Sequence, residues 1–124
     1  MQNDKEKFKI IFKKKLYNFV LKLIVFLDAL PKDTITQVIV NQLMRSGTSI
    51  IGNYIEAQSS SSKKDFTNFF NHALKSTNES KLWIALIRDS KRSSKLSQIQ
   101  WFQTELDEIS KILASSILTL KGRK

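Results

Sequence analysis

The sequence has no cysteine, a single proline and only three glycines among its 124 residues. Without cysteine there is no disulfide bond and no thiolate metal site. Sandwiches and barrels require many tight turns, and they use more glycine and proline than this chain contains. We therefore expect one all-α domain over residues 1–124, since this length suits a single domain.

Basic residues outnumber acidic residues in this chain. The chain has 21 lysines and arginines against 11 aspartates and glutamates, which gives a net charge of +10. Such an excess favours contact with nucleic acid, with anionic lipid or with an acidic protein. It equally keeps a protein in solution, so composition alone leaves both interpretations open.

The first apolar pattern predicts a helix over residues 4–30. Its apolar residues recur at intervals of four and three, which is a heptad pattern. Val20, Ile24 and Leu27 widen this stripe to the breadth of a bundle helix. Pro31 ends the helix, because proline lacks an amide hydrogen and disfavours helix in the residue before it. The stripe consists of Phe12, Leu16, Phe19, Leu23, Phe26 and Leu30.

Polar residues mark the starts of three more helices. Asp33 or Thr34 is suited to cap the second helix. Ser62 stands three residues before an aspartate and Ser97 three residues before a glutamine. Both spacings resemble a capping box, so we expect these serines to begin the third and fourth helices. The serine run 59–62 is the clearest break in the chain.

The core-facing residues of these three helices also follow helical spacing. Short connections make consecutive helices antiparallel neighbours, so we expect an up-down-up-down four-helix bundle. The predicted core residues are Ile35, Val38, Ile39, Gln42, Leu43, Ser46, Ile50 and Tyr54 in the second helix, Phe66, Phe70, Ala73, Thr77, Ser80, Ile84 and Ile87 in the third, and Ile99, Phe102, Leu106, Ile109, Leu113, Ile117 and Leu120 in the fourth.

This topology gathers the start of the first and third helices and the end of the second and fourth at one end of the bundle. Eleven basic and four acidic side chains are assigned there, a charge of +7. We interpret this end as a salt-sensitive, weakly sequence-selective phosphate-binding surface. Lysine-rich termini that are simply solvated are the alternative. The candidates for nucleic-acid binding are Lys13, Lys14, Lys15, Lys63, Lys64, Lys121, Arg123 and Lys124.

No group of residues typical of an enzyme occurs. His72 is the only histidine, and it has neither a cysteine partner nor a second histidine at metal-binding spacing. Glycine-rich phosphate loops and the serine elbow of hydrolases are also missing. We therefore predict a protein that is not an enzyme, with no catalytic residue, no metal and no cofactor.

Aromatic residues suggest association between subunits. Phe19, Phe69, Trp83 and Trp101 lie at the margins of the predicted stripes. Marginal aromatics are typical of subunit interfaces, where Trp and Phe are enriched. We expect a homo-oligomer, although the same residues would also serve to widen the core of one subunit.

Residues 43–86 carry an ordered set of motifs. They are Arg45-Ser46-Gly47-Thr48-Ser49-Ile50, Asn53-Tyr54-x-Glu56-Ala57, Ser62-Lys63-Lys64-Asp65-Phe66 and Glu79-Ser80-x-x-Trp83. The set resembles the bacterial four helix bundle protein family, also called the 23S rRNA intervening-sequence protein family. The resemblance implies an up-down bundle assembled as a ring-like homopentamer in the bacterial cytoplasm, sometimes encoded within a ribosomal RNA gene insertion.

A more distant similarity is to the accessory variability protein of diversity-generating retroelements, which binds nucleic acid and a reverse transcriptase. This chain departs from the family at Ser60 and Ser61, where many members carry arginine. The resemblance therefore implies one phosphate contact fewer in this segment.

The motif residues are interpreted as fixing helix register or subunit contacts. Antiparallel pairing predicts an ion pair between Arg45 and Glu79, Glu56 beside the lysines that open the third helix, and Asn53 at the level of Phe66. The full set of structural or assembly candidates is Arg45, Ser46, Asn53, Glu56, Asp65, Phe66, Glu79 and Trp83.

Two functions follow from these observations. The first is a non-enzymatic, homo-oligomeric cytoplasmic accessory protein that binds RNA or DNA phosphates. The alternative is an oligomeric scaffold for a protein partner, with no nucleic-acid role. Membrane binding is disfavoured, because the apolar face of the first helix is needed for the core and the stretch 16–30 is too short to span a bilayer. Lys22 within that stretch also argues against a signal peptide.

Overall fold

The computed structural model describes residues 3–122. Within that range there are four long helices and no strand. The all-α fold class is therefore confirmed. The helices are α1 (Asp4–Asp28), α2 (Thr34–Gln58), α3 (Lys63–Asp89) and α4 (Leu96–Leu120).

Side-chain caps begin the first three helices. The carboxylate of Asp33 accepts the amide hydrogen of Thr36 at 3.0 Å, and the Ser62 hydroxyl accepts that of Asp65 at 3.1 Å. Each bond satisfies one of the amide groups left without a partner at a helix start. Asp65 adds a negative charge in the first turn of α3, where the helix dipole favours it. The predicted caps of α2 and α3 are confirmed.

The predicted cap of α4 is wrong. The helix begins at Leu96, so Ser97 lies inside the first turn, and Lys95 occupies the cap position without a side-chain bond. The hydroxyl of Ser93 instead accepts the amide hydrogen of Lys95 at 3.1 Å. This bond turns the chain before Ser97 is reached, and the helix starts earlier than the spacing of polar residues suggested.

Contacts between neighbouring helices pair rising with falling residue numbers, which establishes their antiparallel directions. The helices α2 and α3 pack along most of their length, whereas α1 contacts α2 and α4 more sparsely. The pairs are Ser46 with Ser80 and Tyr54 with Phe70 between α2 and α3, Phe12 with Tyr54 and Leu23 with Gly47 between α1 and α2, and Lys15 with Glu105 and Phe26 with Phe102 between α1 and α4.

The core follows the predicted heptad stripes closely. Every predicted stripe residue of α1 is buried, and so are those of α3 and α4, except that Phe66 and Leu120 are only partly buried. The start of α2 differs. Ile35 is 61% exposed and Val38 is also exposed, while Thr36 takes the inward position and its hydroxyl donates to Asp33 at 2.8 Å. The cap thus determines which side chains of this turn face the core, and they are not the ones that the apolar spacing predicted.

Aromatic rings fill the middle of the bundle more than its margins. Phe19 is fully buried, edge-on to Phe102 at 5.8 Å, so its assignment to a margin is wrong. Trp101 is partly buried, lies 5.1 Å from Phe102 and has the Lys22 ammonium 4.9 Å above its ring. Trp83, like Phe69, packs partly buried against the core. Within one subunit these aromatics pack against the core, and a role of their exposed edges in subunit contacts stays a prediction.

Two glycines within α2 have different surroundings, which gives a direct test of this packing. A Cβ added at Gly47 would lie 2.5 Å from Cδ2 of Leu23, which is fully buried, whereas a Cβ at Gly52 meets nothing within 4 Å. Only Gly47 is needed for the close approach of α1 to α2.

We expect Gly52→Ala to raise the free energy of unfolding by up to about 1 kcal/mol, because alanine favours helix over glycine. Gly47→Ala has the same helix gain, but it overpacks the core at Leu23 by about 1–3 kcal/mol and is expected to destabilise. Urea unfolding of both variants measures the difference. Equal effects at the two positions would contradict this account of α1–α2 packing.

Candidate functional site

The basic end of the bundle is formed by the starts of α1 and α3 and the ends of α2 and α4. Three of the predicted phosphate-binding residues lie there and are exposed: Lys63 and Lys64 in the first turn of α3, and Lys121 directly after α4. None of the three makes an ion pair with another residue of the segment 3–122. Arg123 and Lys124, the last two candidates, lie outside the described residues.

The other three candidates for phosphate binding do not lie at the basic end, where they were predicted. Lys13, Lys14 and Lys15 lie nine to eleven residues into α1, which places them roughly 14–17 Å along a helix about 37 Å long. They belong to the middle of the bundle. These three lysines therefore do not share one end with Lys63, Lys64 and Lys121, because a helix rises too far over ten residues.

Lys15 is held by two carboxylates of α4. Its ammonium lies 3.0 Å from an oxygen of Glu105 and 2.6 Å from one of Glu108. Burial lowers the pKa of Lys15, but the hydrogen bonds to Glu108 and Glu105 outweigh it and raise the pKa above its usual value. The charge of Lys15 is thus neutralised within the protein, whereas Lys13 and Lys14 remain exposed and make no ion pair with residues 3–122.

Near the serine run 59–62, the residues of α2 and α3 that lie beside each other differ from the predicted pairs. The Ser76 hydroxyl donates to that of Ser49 at 3.1 Å, and the side-chain amide of Asn53 donates to both oxygens of Ser49 at 2.9 Å. Asn53 therefore lies more than a helical turn from the level of Phe66, which stacks on Phe70 with ring centroids 4.8 Å apart. The predicted proximity of Asn53 and Phe66 is wrong.

Glu56 does not pair with the lysines of α3. It is exposed, and no ion pair within residues 3–122 joins it to Lys63 or Lys64. The predicted contact across the turn is therefore not formed, and both lysines keep their charge available.

The predicted ion pair between Arg45 and Glu79 is formed. The indole Nε1 of Trp83 donates to the same carboxylate at 3.1 Å, and Arg45 also donates to the side-chain oxygen of Gln42. One carboxylate of α3 thus receives a guanidinium from α2 and an indole from its own helix. This arrangement supports the interpretation that these motif residues fix the register of α2 against α3.

A second polar contact joins the same two helices inside the core. The hydroxyls of Ser46 and Ser80 lie 2.8 Å apart, and both side chains are fully buried. Each hydroxyl also lies near a carbonyl of its own helix, Ser46 at 3.3 Å from that of Leu43 and Ser80 at 2.9 Å from that of Ser76, so one hydroxyl donates to its carbonyl while the other donates across to its partner. Small side chains with satisfied hydroxyls allow the two helices to approach closely without leaving a buried polar group unpaired.

One exposed apolar surface, on α1, was not predicted from the sequence. Five apolar side chains of α1 lie opposite its buried stripe, with exposures from 40% for Ile10 to 72% for Val25. We call them the outer face of α1. Ile10, Tyr17, Leu21 and Ile24 each stand two residues before a stripe residue, which on a helix corresponds to the opposite side, and Lys14 occupies the position between Ile10 and Tyr17. The outer face consists of Ile10, Tyr17, Leu21, Ile24 and Val25.

Ile24, which was predicted to widen the core stripe, belongs to this second series and is exposed. The apolar face of the first helix is buried in the core as predicted, and the helix carries these exposed apolar residues in addition. No helix in the described part of the chain is both long and apolar enough to cross a membrane.

Side chains capable of catalysis or metal binding are dispersed over the described part of the chain. His72 is exposed on α3 rather than packed. Across residues 3–122, no three histidine, aspartate or glutamate side chains converge in a way that would hold a metal ion.

The Ser46–Ser80 contact is open to a double-mutant cycle. We expect Ser46→Ala and Ser80→Ala each to lower the free energy of unfolding by about 1 kcal/mol. The loss in the double variant should be smaller than the sum of the two by about 0.5–1 kcal/mol, because both changes break one bond. Ser115→Ala, at an exposed position of α4, is the control and should change little. Strict additivity would show that the hydroxyls do not interact.

Comparisons with known proteins agree with this architecture. Residues 9–115 match the 23S rRNA-intervening sequence protein family. A solved protein of unknown function from the S23 ribosomal protein family of Bacteroides thetaiotaomicron VPI-5482 is 32% identical and superposes with a TM-score of 0.78, covering 85% of this chain and 96% of its own. No functionally curated protein matches the chain. With the family's sequence pattern running through all four helices, the chain belongs to the 23S rRNA-intervening sequence protein family.

Proposed function

We propose that this chain is a non-enzymatic, homo-oligomeric accessory protein of the bacterial cytoplasm that binds the phosphate backbone of RNA or DNA. The observation that carries the proposal is a set of exposed lysines that make no ion pair with residues 3–122 in a chain of net charge +10. Lysine ammonium groups bind phosphates mainly by charge and release counterions as they do so. The set consists of Lys13, Lys14, Lys63, Lys64 and Lys121.

The positions of these lysines define two contact surfaces. Lys63, Lys64 and Lys121 lie at the basic end, and Lys13 and Lys14 lie on the side of α1. Exposed lysines on helices position a protein on the backbone without reading base sequence. The family name, which refers to an intervening sequence of 23S rRNA, supports a nucleic-acid role of this kind.

The outer face of α1 supports the oligomeric part of the proposal. Tyr17, Leu21, Ile24 and Val25 form the contiguous apolar part of this face, which a soluble monomer rarely leaves uncovered and which commonly marks a protein contact. We assign this part to the contact between subunits, in the homopentamer that the family resemblance implies, which leaves Lys13 and Lys14, before it on α1, for phosphates. A closed ring requires each subunit to present two different surfaces, so the outer face would meet a different part of the next subunit.

An oligomeric scaffold with no nucleic-acid role shares the same subunit contact. The two functions differ in what the exposed lysines do. In the scaffold they only maintain solubility, so charge reversal at the basic end would leave nucleic-acid affinity as low as before.

Binding to a structured RNA and to duplex DNA, followed by fluorescence anisotropy at rising salt, tests the nucleic-acid role. We expect affinity to fall steeply with salt. Lys63→Glu with Lys64→Glu should reduce the slope of log affinity against log salt by about two, since each lysine contributes about one. Lys91→Glu with Lys95→Glu, exposed at the opposite end, makes the same change in net charge and should reduce it far less. Absence of binding at low salt, or equal losses in both variants, would overturn the proposal.

Light scattering after size-exclusion chromatography tests the subunit contact. We expect the wild-type chain to elute as a defined oligomer, and Leu21→Glu with Val25→Glu to shift it to smaller species, because burying a carboxylate in an apolar contact is strongly unfavourable. Ile35→Glu is the matched control, since Ile35 is similarly exposed but lies on α2, away from the outer face. A wild-type monomer, or an unchanged oligomer in the double variant, would contradict the assignment.

A further inference from the structure

The basic end contains a cavity of about 560 Å³. It lies between the starts of α1 and α3 and the ends of α2 and α4, within the size range of small-ligand sites. Its lining is mostly apolar and includes four aromatic rings, from Phe8, Tyr54, Phe66 and Phe70. We call it the aromatic cavity.

The rings form a connected group. Phe66 stacks on Phe70 with centroids 4.8 Å apart, and Tyr54 is tilted against Phe70 at 5.7 Å. Phe8, on α1, leaves about half of its surface exposed. Two of these rings are thus fixed in the core, while Phe8 and Phe66 keep free surface that a flat ligand is able to stack on.

Tyr54 carries a polar group that the fold leaves unused. Tyr54 is only 2% exposed, but its hydroxyl is not among the buried polar atoms that lack a partner in residues 3–122, of which Arg92 Nε is the one example, so the hydroxyl is accessible to solvent. Burial raises the pKa of this hydroxyl above its usual value, so it stays protonated and able to donate. Tyr54 lines the aromatic cavity, so its accessible hydroxyl is able to bond a ligand there in place of water.

Charge around the cavity favours a phosphate-bearing ligand. Lys5 and Lys9 line it, on successive turns of the same side of α1, and Asp4 is the one carboxylate among its lining residues. Lys63 stands three residues before Phe66 on α3, and Lys121 follows Leu120, which also lines the cavity. Two lysines therefore line an apolar, aromatic interior, and two more lie at the same end of the bundle.

We propose that the aromatic cavity receives an unpaired base of a single-stranded nucleic acid. The base stacks on Phe8 and Phe66, the Tyr54 hydroxyl donates to an acceptor on its edge, and Lys5 and Lys9 contact the flanking phosphates. A base within a duplex is stacked and paired and cannot enter, so the site selects single strands, loops or ends. This inference rests on the proposed nucleic-acid function and adds the kind of strand that is bound.

The test compares a short single-stranded oligouridylate, the same oligonucleotide with abasic sites, and a duplex of equal length. We expect Phe8→Ala to weaken binding of the single strand by about 5- to 100-fold through lost stacking, with little change for the duplex. Tyr54→Phe keeps the ring and removes only the hydroxyl, and it should weaken single-strand binding by about 2- to 10-fold. Ser97→Ala is the control, because it removes an exposed hydroxyl from the first turn of α4, at the end of the bundle opposite the cavity.

Folding is checked independently. Tyr54→Phe should not lower the thermal midpoint of the free protein, because the hydroxyl has no partner within residues 3–122. A 2-aminopurine placed in the oligonucleotide should lose fluorescence on binding to the wild-type protein and keep it with Phe8→Ala, since stacking quenches it.

The outcomes separate this inference from the proposed function. If the abasic strand binds as tightly as the intact one, or if both aromatic variants bind normally while Lys63→Glu with Lys64→Glu weakens binding, the base site is overturned and backbone binding stands. If neither single strand nor duplex binds at low salt, both proposals are overturned.

Discussion

Close packing of α2 against α3 is the constraint on which the rest of the molecule depends. The buried hydroxyls of Ser46 and Ser80 meet at 2.8 Å, and a larger side chain at either position would separate the helices. Once the helices are this close, their register is set, and it brings Arg45 to Glu79 on the surface. Ser46 and Ser80 thus fix the distance and the register between α2 and α3. Apolar residues alone would not fix them, because apolar packing tolerates many similar arrangements.

The remaining helices attach to this pair in different ways. α3 and α4 join through a broad apolar contact, whereas α1 touches its neighbours more sparsely. Its attachment relies on large side chains, such as Phe19 and Phe26 against Phe102, and on the space left by Gly47. At the basic end this sparser packing coincides with the aromatic cavity, which the first turns of α1 help to line. The same helix carries Lys13 and Lys14, so most features with functional potential lie on or beside α1.

Much of the fold was predictable because burial follows periodicity. Heptad spacing identified the core of α1, α3 and α4, and antiparallel neighbours sufficed to predict the Arg45–Glu79 pair. The errors have physical causes. Capping by Asp33 turned Thr36 inward in place of Ile35, which no apolar pattern reveals.

The candidate site was less predictable for related reasons. Lys15 is neutralised by Glu105 and Glu108, about ninety residues away along the chain, and only the packed structure brings these charges together. Lys13 and Lys14, predicted at one end of the bundle, lie on the side of α1 because the helix rises about 1.5 Å per residue. The cavity and the unpartnered hydroxyl of Tyr54 depend on where four chain segments converge, which spacing within any one segment does not encode.

The two apolar faces of α1 have a consequence for how the protein responds to its own concentration. One face contributes to the core and the other is left uncovered in a single subunit, so association would add stability to the helix that is packed most sparsely. By mass action, stability gained from a partner rises with the amount of that partner. Dilution would then destabilise α1 before the α2–α3 pair. A higher concentration of the protein would stabilise the surface of α1 that carries Lys13 and Lys14.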